Sequence, residues 1–403
     1  MQNPELDAMI KESAEKTKVD SAWKKPEVFQ YNSTSDQAKI TDLFKSGKIR
    51  DTFDPVISIA ESEFELLHPE LRHNQKEREE YVASILEQGN EYGEWVLNQG
   101  SLIRYPDRDT YRKLRTYRYK NLITKEEQEK LNRARPAVFG LSVGGNIAVA
   151  LVRNGIGQAI ALGDFDKPDV PGIGRNVTDI RDLGLSKIDA VAKQISYIDP
   201  FLEQKHFHDG FHNDIKGELT AYQPDAVFDE IDDMTGSAAM RIFCRDFKIP
   251  YLTAADVGDR ATLELIRHDL GSRKLYAGWV SDKDAQRMMS GEVFNEKQDM
   301  IISKSIGLSN LLAVPRLMES YSKLGVETSG TPQLGSTSLM AAGYAVMAYR
   351  NVLLNNNPKE GLTALKPDVL LKTRPSLLKI CKTLMRYFSS TTTAKQNEDE
   401  YCT

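Results

Sequence analysis

The chain has 403 residues, enough for two or three domains of ordinary size. Charged residues make up 28% and hydrophobic residues 40%, the balance of a globular protein, and the net charge of -5 excludes a globally basic nucleic-acid binder. The cysteines are Cys244, Cys381 and Cys402; with no Cys-x-x-Cys pair among them, a cysteine-built zinc knuckle and a disulfide framework are excluded.

The opening stretch MQNPELDAMIKESAEKTK is polar and lacks the apolar run of a signal peptide, so a cytoplasmic location is expected. Residues 1–115 read as a mostly helical N-terminal extension. Within it, Tyr81, Ile85, Leu86, Tyr92 and Leu97 recur at roughly helical spacing between His68 and Asn98. A basic aromatic run follows from Arg104 to Tyr119, suited to a solvated helix face, a nucleotide phosphate or RNA; no nucleic-acid partner is expected from the chain as a whole. Thr124 and Glu127 form a capping box that starts a short helix.

Residues 116–357 alternate strand-like and helix-like segments, the pattern of an α/β fold with a Rossmann-like, doubly wound, mostly parallel sheet. The expected strands are 137–139, 159–162, 225–229 and 250–253, with 262–266 as an edge or antiparallel strand because charge alternates along it. The apolar stretch from Ser336 to Leu354 is broken by Tyr344, Tyr349, Arg350 and Asn351, so it reads as a buried helix and no membrane partner is expected. Residues 358–388 are expected to hold an amphipathic helix over 375–388, docked on the body of the protein, and 389–403 a disordered tail.

The segment from Gly140 to Gly145 carries the chemistry. As Gly140-x-Ser142-x-Gly144 it matches the nucleophile elbow of a serine hydrolase. As Gly140-x-Ser142-x-x-Gly145 it is a phosphate loop whose backbone amides and following helix hold an anion. The hydrolase needs strands before its serine, an upstream oxyanion segment and a histidine, for which His268 is the remaining choice. The phosphate loop needs an acidic residue about 20 residues on, at the end of the next strand, for the ribose hydroxyls. Asp164 lies 19 residues after Gly145.

A nicotinamide-dependent oxidoreductase needs little more than this. The chain adds Arg175 and Lys187, the second at a helix start where the dipole disfavours a cation. It then adds Asp232 in a carboxylate run at a strand's C-terminal end, where magnesium would sit. Loop, ribose aspartate, two cations and a metal carboxylate together describe ATP with its α-phosphate open to attack.

In these motifs the chain resembles the ThiF/MoeB superfamily of adenylating enzymes, related to ubiquitin-activating enzymes, from about Arg115 to Leu354. The resemblance implies that Gly140, Ser142, Gly144, Gly145, Asp164 and Asp166 bind ATP. It implies further that Arg175 and Lys187 act on the phosphates, that Asp232 holds Mg2+, and that an arginine such as Arg118 reaches the neighbouring subunit's site in a homodimer. Ser142 replaces a glycine, Gly172 stands where the family usually has Asn, Asp233 stands where Asn usually follows the metal aspartate, and the zinc cysteines are absent. Cys244 falls on a helix among apolar neighbours, which favours burial over a thioester role. The expected activity is ATP- and magnesium-dependent activation of a carboxylate on a protein or peptide.

Overall fold

A computed structural model describes residues 4–20, 22–278, 281–290, 310, 314–321, 323–371, 381–382 and 385. The expected helix over 375–388 and the expected tail therefore lie, but for three positions, outside the described residues. The chain divides into two compact units. The first joins Met1–Arg133, Leu151–Gln158 and Asp189–Gln204; the second joins Ala134–Ala150, Ala159–Ile188 and Lys205–Thr403.

The first unit begins with helices α1 (Pro4–Asp20), α2 (Thr34–Lys45), α3 (Val56–Leu67) and α4 (Gln75–Glu87). It also holds a four-stranded sheet that the sequence did not announce. Strands β1 (Glu27–Phe29), β2 (Asp51–Phe53), β3 (Glu94–Asn98) and β4 (Ser101–Tyr105) lie in the order β1-β3-β4-β2. The helical pattern expected up to Asn98 stops at Glu87, and Leu97 belongs to a strand. The local cause is visible. Gly89 and Gly93 take positive φ, and a Cβ on Gly93 would strike the Tyr105 carbonyl. Gln99 and Gly100, both at positive φ, then make the two-residue turn that joins β3 to β4.

Two arginines of the basic run are occupied inside this unit. Arg104 is buried over the Trp95 ring and donates to the Gly89 carbonyl at 2.9 Å. Arg115, on α5 (Arg108–Thr116), pairs with Asp199 at 2.8 Å. The Thr124 capping box starts α6 (Lys125–Asn132) as the sequence implies.

The second unit is built on a seven-stranded sheet. Its strands are β5 (Pro136–Phe139), β6 (Ala159–Gly163), β7 (Glu203–Phe207), β8 (Ala226–Asp229), β9 (Tyr251–Val257), β10 (Arg260–Ile266) and β11 (Gly361–Leu365). Their order is β11-β10-β9-β8-β5-β6-β7. Strand β5 pairs parallel with both β6 and β8, and β8 pairs parallel with β9. This is the doubly wound α/β arrangement that the alternation of segments implies: the chain runs outward from β5 through β6, then returns to β5's other side at β8. Ligands of such sheets bind beyond the strand ends at this reversal.

Strand β10 is antiparallel as expected, but it is not an edge, since β11 pairs outside it. All seven of its residues are buried. Its charges are neutralised inside: Arg260 makes a two-pronged contact with Asp368 at 2.8 and 2.6 Å, and Glu264 pairs with Arg241 at 2.8 Å. The helix expected near 336–354 runs from Gly335 to Leu353, and its Tyr349 packs edge-on against Phe228 of β8. Among the described residues, no helix is long and apolar enough to cross a membrane.

Candidate active site

The loop after β5 is fixed from both sides. The Gly140 N–H donates to the Gly163 carbonyl at the end of β6 at 2.8 Å, and the Glu230 N–H, just past β8, donates to the Phe139 carbonyl at 2.8 Å. Gly140 has φ of +82°, and a Cβ there would run into the Glu230 carbonyl. Only glycine lets the backbone pass this close. Gly144 and Gly145 are buried in the first turn of α7 (Val143–Arg153), where a Cβ on Gly144 would stand 2.9 Å from Val138. Thus the glycines bring the helix N-terminus up against the sheet, with its unpaired amides at the reversal point.

Asp164 is buried at the end of β6. One carboxylate oxygen accepts the Leu141 N–H of the loop at 2.6 Å and the other accepts the Asp166 N–H at 2.7 Å. Helix α9 (Lys187–Ile198) begins at Lys187, whose N–H donates to the Asp166 carbonyl at 2.9 Å. The Lys187 ammonium turns toward the loop. It lies 3.2 Å from the Ser142 hydroxyl, 3.0 Å from the Asp166 carboxylate and 4.0 Å from that of Asp164. Asp189, two residues into α9, accepts the Trp23 N–H at 3.2 Å.

Arg175 follows a one-turn helix, α8 (Val170–Ile173), capped by Asp169, whose carboxylate accepts the Gly172 N–H at 2.9 Å. The Arg175 carbonyl accepts an amide proton from Asn146 of α7 at 2.7 Å, which ties this segment to the loop. Its side chain joins Ser142 and Asp232 in lining a cavity of about 210 Å³. Asp232 lies at the open rim. Partial desolvation raises its carboxyl above the ordinary range, while Lys187 and Arg175 pull it down. Asp233 beside it caps α11 (Met234–Asp246), accepting the Gly236 N–H at 2.7 Å.

Ser142, Asp164, Asp166, Arg175, Lys187 and Asp232 therefore surround one loop in one unit. Arg118 belongs to the other unit, where it is exposed on a 3-10 turn, Tyr117–Tyr119. The histidine expected to serve the serine-elbow alternative is engaged elsewhere. His268 is buried with Nδ1 2.7 Å from the Ser272 carbonyl and does not line the cavity. His206 and His208 stack edge-on at 5.8 Å, and among the described residues no His, Cys, Asp or Glu group has the geometry to hold a metal by itself. Cys244 is buried in the core beside Met240 and Phe243, and burial pushes its thiol well above the usual range.

The cavity is also lined by Glu230, from the same carboxylate run as Asp232, and by Arg241, Asp256 and Glu264, which sequence reading missed. Glu230 accepts the Ala254 N–H at 2.8 Å, and Asp256 accepts an amide proton from Gln333 at 2.7 Å. Arg241 lies between the Tyr251 and Tyr276 rings, 4.2 and 3.8 Å from their centroids, and pairs with Glu264. Burial raises the carboxyls of Asp229, Glu230 and Asp256. The available signal was the charge alternating along β10, which reads as solvent exposure until its partners are known.

The sequence matches the ThiF family over residues 115–374. An uncharacterised protein of Mycobacterium tuberculosis is 27% identical over 256 residues, covering 62% of this chain and 34% of that protein. The tRNA threonylcarbamoyladenosine dehydratase of Escherichia coli is 34% identical over 127 residues, covering 31% of this chain and 47% of the enzyme. Ubiquitin-like modifier-activating enzyme 5 of Caenorhabditis elegans is 30% identical over 131 residues, covering 30% and 31%. The chain thus spans about a third to a half of the length of the curated relatives it matches. A solved structure of the E. coli dehydratase in complex with ATP is similar at 21% identity and a TM-score of 0.43, covering 60% of this chain and 95% of that one. With the match extending over more than half of its residues, the chain belongs to the ThiF family.

Proposed function

We propose that this protein uses ATP and magnesium to activate a substrate carboxylate as an acyl-adenylate. The observation that carries the reading is the turn of Lys187 onto Ser142 of the glycine loop. A cation at the first position of a helix opposes the helix dipole, and bound phosphate at the same point offsets that cost.

The loop amides from Ser142 onward, with Gly144 and Gly145, would hold the phosphates. Asp164 and Asp166 would take the ribose hydroxyls. A carboxylate oxygen of the substrate attacks the α-phosphorus, the bond to the β-phosphate oxygen breaks, and pyrophosphate leaves with the bonding pair. Arg175 and Lys187 counter the negative charge that grows on the phosphates as this happens.

Magnesium supplies charge neutralisation on the triphosphate. It usually keeps several waters and takes only one or two protein carboxylates beside phosphate oxygens, so a single Asp232 at the rim suits it. A buried Cys244 with a raised thiol does not suit a thioester relay, which favours transfer of the acyl group to another nucleophile or loss of AMP directly.

The resemblance to modifier-activating enzymes suggests substrates such as a carrier-protein C-terminus or a peptide carboxylate, and a homodimer in which Arg118 reaches the partner's site. The residues N-terminal to the ThiF match would then form a separate extension. ATP–pyrophosphate exchange across a panel of carboxylates tests the activity. ATP binding without exchange would leave a non-catalytic scaffold, and a nicotinamide fluorescence change on binding would favour an oxidoreductase.

A further inference from the structure

Asn146 comes directly after the glycine loop, in the first turn of α7, and is 3% exposed. Its amide nitrogen donates to two segments that are remote in sequence. One acceptor is the Arg175 carbonyl at 2.7 Å; the other is the hydroxyl of Ser338, at 2.8 Å, on the buried side of the Gly335–Leu353 helix. A backbone carbonyl can only accept, so the nitrogen of this side chain, and not its oxygen, must face Arg175.

The segment that carries Arg175 is weakly held by its own secondary structure. Helix α8 is a single turn, too short to be stable alone. After it the chain bends, with the N–H groups of Arg175 and Asn176 both donating to the Gly172 carbonyl at 3.0 and 2.9 Å. These bonds are local: they shape the bend without fixing its place beside the sheet. On one side Gly335 limits its travel, since a Cβ there would stand 2.3 Å from the Gly174 carbonyl oxygen. Asn146 ties it to the helix that follows the loop. The Arg175 side chain, which starts from the carbonyl-bearing residue held in this way, lines the same cavity as Ser142 and Asp232.

We infer that Asn146 is a positioning residue, which sets the distance from the Arg175 guanidinium to nucleotide phosphates held by the loop amides. The inference rests on the ATP-binding reading of this site. Helix α7 would offer its N-terminal amides to the phosphates, and through Asn146 the same helix carries the backbone from which Arg175 reaches them. A guanidinium fork matches phosphate oxygens over a narrow range of geometry, so a displaced backbone loses those contacts with the charge still present. A purely structural Asn146, joining α7 to the Gly335–Leu353 helix, would act differently. Its loss would lower the thermal transition and the fraction of protein able to bind, and leave the affinity of the folded fraction unaltered.

Calorimetric titration with ATP and magnesium separates the two. Asn146→Leu keeps the volume and removes both donors; Asn146→Ser, with its hydroxyl one bond nearer the backbone, replaces it if the leucine variant does not fold. The titration is run on the full chain, on this variant, on Arg175→Ala and on the double variant. The Asn146 change should weaken ATP binding several-fold while Arg175 is present. Once Arg175 is alanine it should weaken binding by no more than about twofold, the margin within which independent effects add. Unaltered affinity in the folded variant overturns the inference. Equal weakening with and without Arg175 also overturns it, by tracing the effect to the loop amides. ATP–pyrophosphate exchange with a panel of carboxylates reads the activity separately. Coupled ATP binding without exchange in the parent removes adenylation and leaves the positioning role standing, whereas exchange in the parent without coupling does the opposite.

Discussion

The Lys187 ammonium stands 3.0 Å from the Asp166 carboxylate, across the mouth of the glycine loop. The two residues are 21 positions apart and meet because the start of α9 hydrogen-bonds back to the strand end that carries Asp166. Asp166 holds the cation in place, and a nucleotide phosphate would take it over. Lys187→Ala should lower ATP–pyrophosphate exchange by about 10²-fold or more, the scale seen when one charge-stabilising donor is lost. An intact thermal transition with exchange unchanged would remove Lys187 from the chemistry.

Asp232 is open at the rim and raised by its surroundings, with Lys187 and Arg175 opposing that shift. Asp232→Asn keeps the shape and removes the charge. Titration with magnesium should then reach half-maximal exchange at a concentration about tenfold or more higher, in the range by which groups tuning a metal site change affinity. Full exchange at the original magnesium concentration would end the metal assignment.

Gly140 combines φ of +82° with the Glu230 carbonyl on the side where a Cβ would stand. Gly140→Ala should cost about 1–3 kcal/mol through strain alone. A fall in the urea midpoint together with weaker ATP binding is the expected result. Gly47, also at positive φ but with open space around it, gives a control in which strain acts without the collision.

Arg241 and Glu264 are 3% and 2% exposed and face each other at 2.8 Å. Arg241→Leu leaves the carboxylate buried alone and should destabilise the protein by about 3–5 kcal/mol. Joining it to Glu264→Leu should recover most of that loss, because a buried pair replaced by apolar residues often costs little. A double variant as unstable as the single one would mean that packing of Arg241 against Tyr251 and Tyr276, and not its charge, sets the cost.

Asp225, at the start of β8, is raised by burial, though it accepts the Arg135 N–H at 2.8 Å and a proton from Tyr349. A carboxyl raised in the folded state binds its proton more tightly there than in the unfolded chain. Its contribution to stability is present below the ordinary carboxylate range and is lost as pH rises through the raised value. Asp225→Asn cannot titrate, so the parent should lose stability relative to the variant as pH increases above about 4. Parallel stability profiles would show that Asp225 does not carry the shift.

The central strands were legible because their signals are local. Val138 and Phe139 before a glycine turn, and Ala159 to Leu162 before Asp164, form apolar runs that end where polar chemistry begins, and these runs became β5 and β6. The Thr124 box and the Lys187 helix start were legible for the same reason: a cap is defined within four residues. By contrast, the hairpin of β3 and β4 was hidden. Tyr92 and Leu97 happen to continue the spacing of α4, and only the positive φ of Gly89 and Gly93 shows that the helix has ended.

By itself the sequence determined which residues surround the glycine loop, since glycines, acidic strand ends and a helix-start cation are specified by type and spacing along the chain. Only the tertiary structure decided what the alternating charges of β10 are for. Arg260 and Glu264 are sequence neighbours of nothing that neutralises them; Asp368 and Arg241 come from elsewhere, 108 residues away in the first case. A charge can be buried only when its partner is delivered by the fold, and the pairing that turns an apparent edge strand into the floor of a cavity exists only once the sheet and its covering helices are assembled.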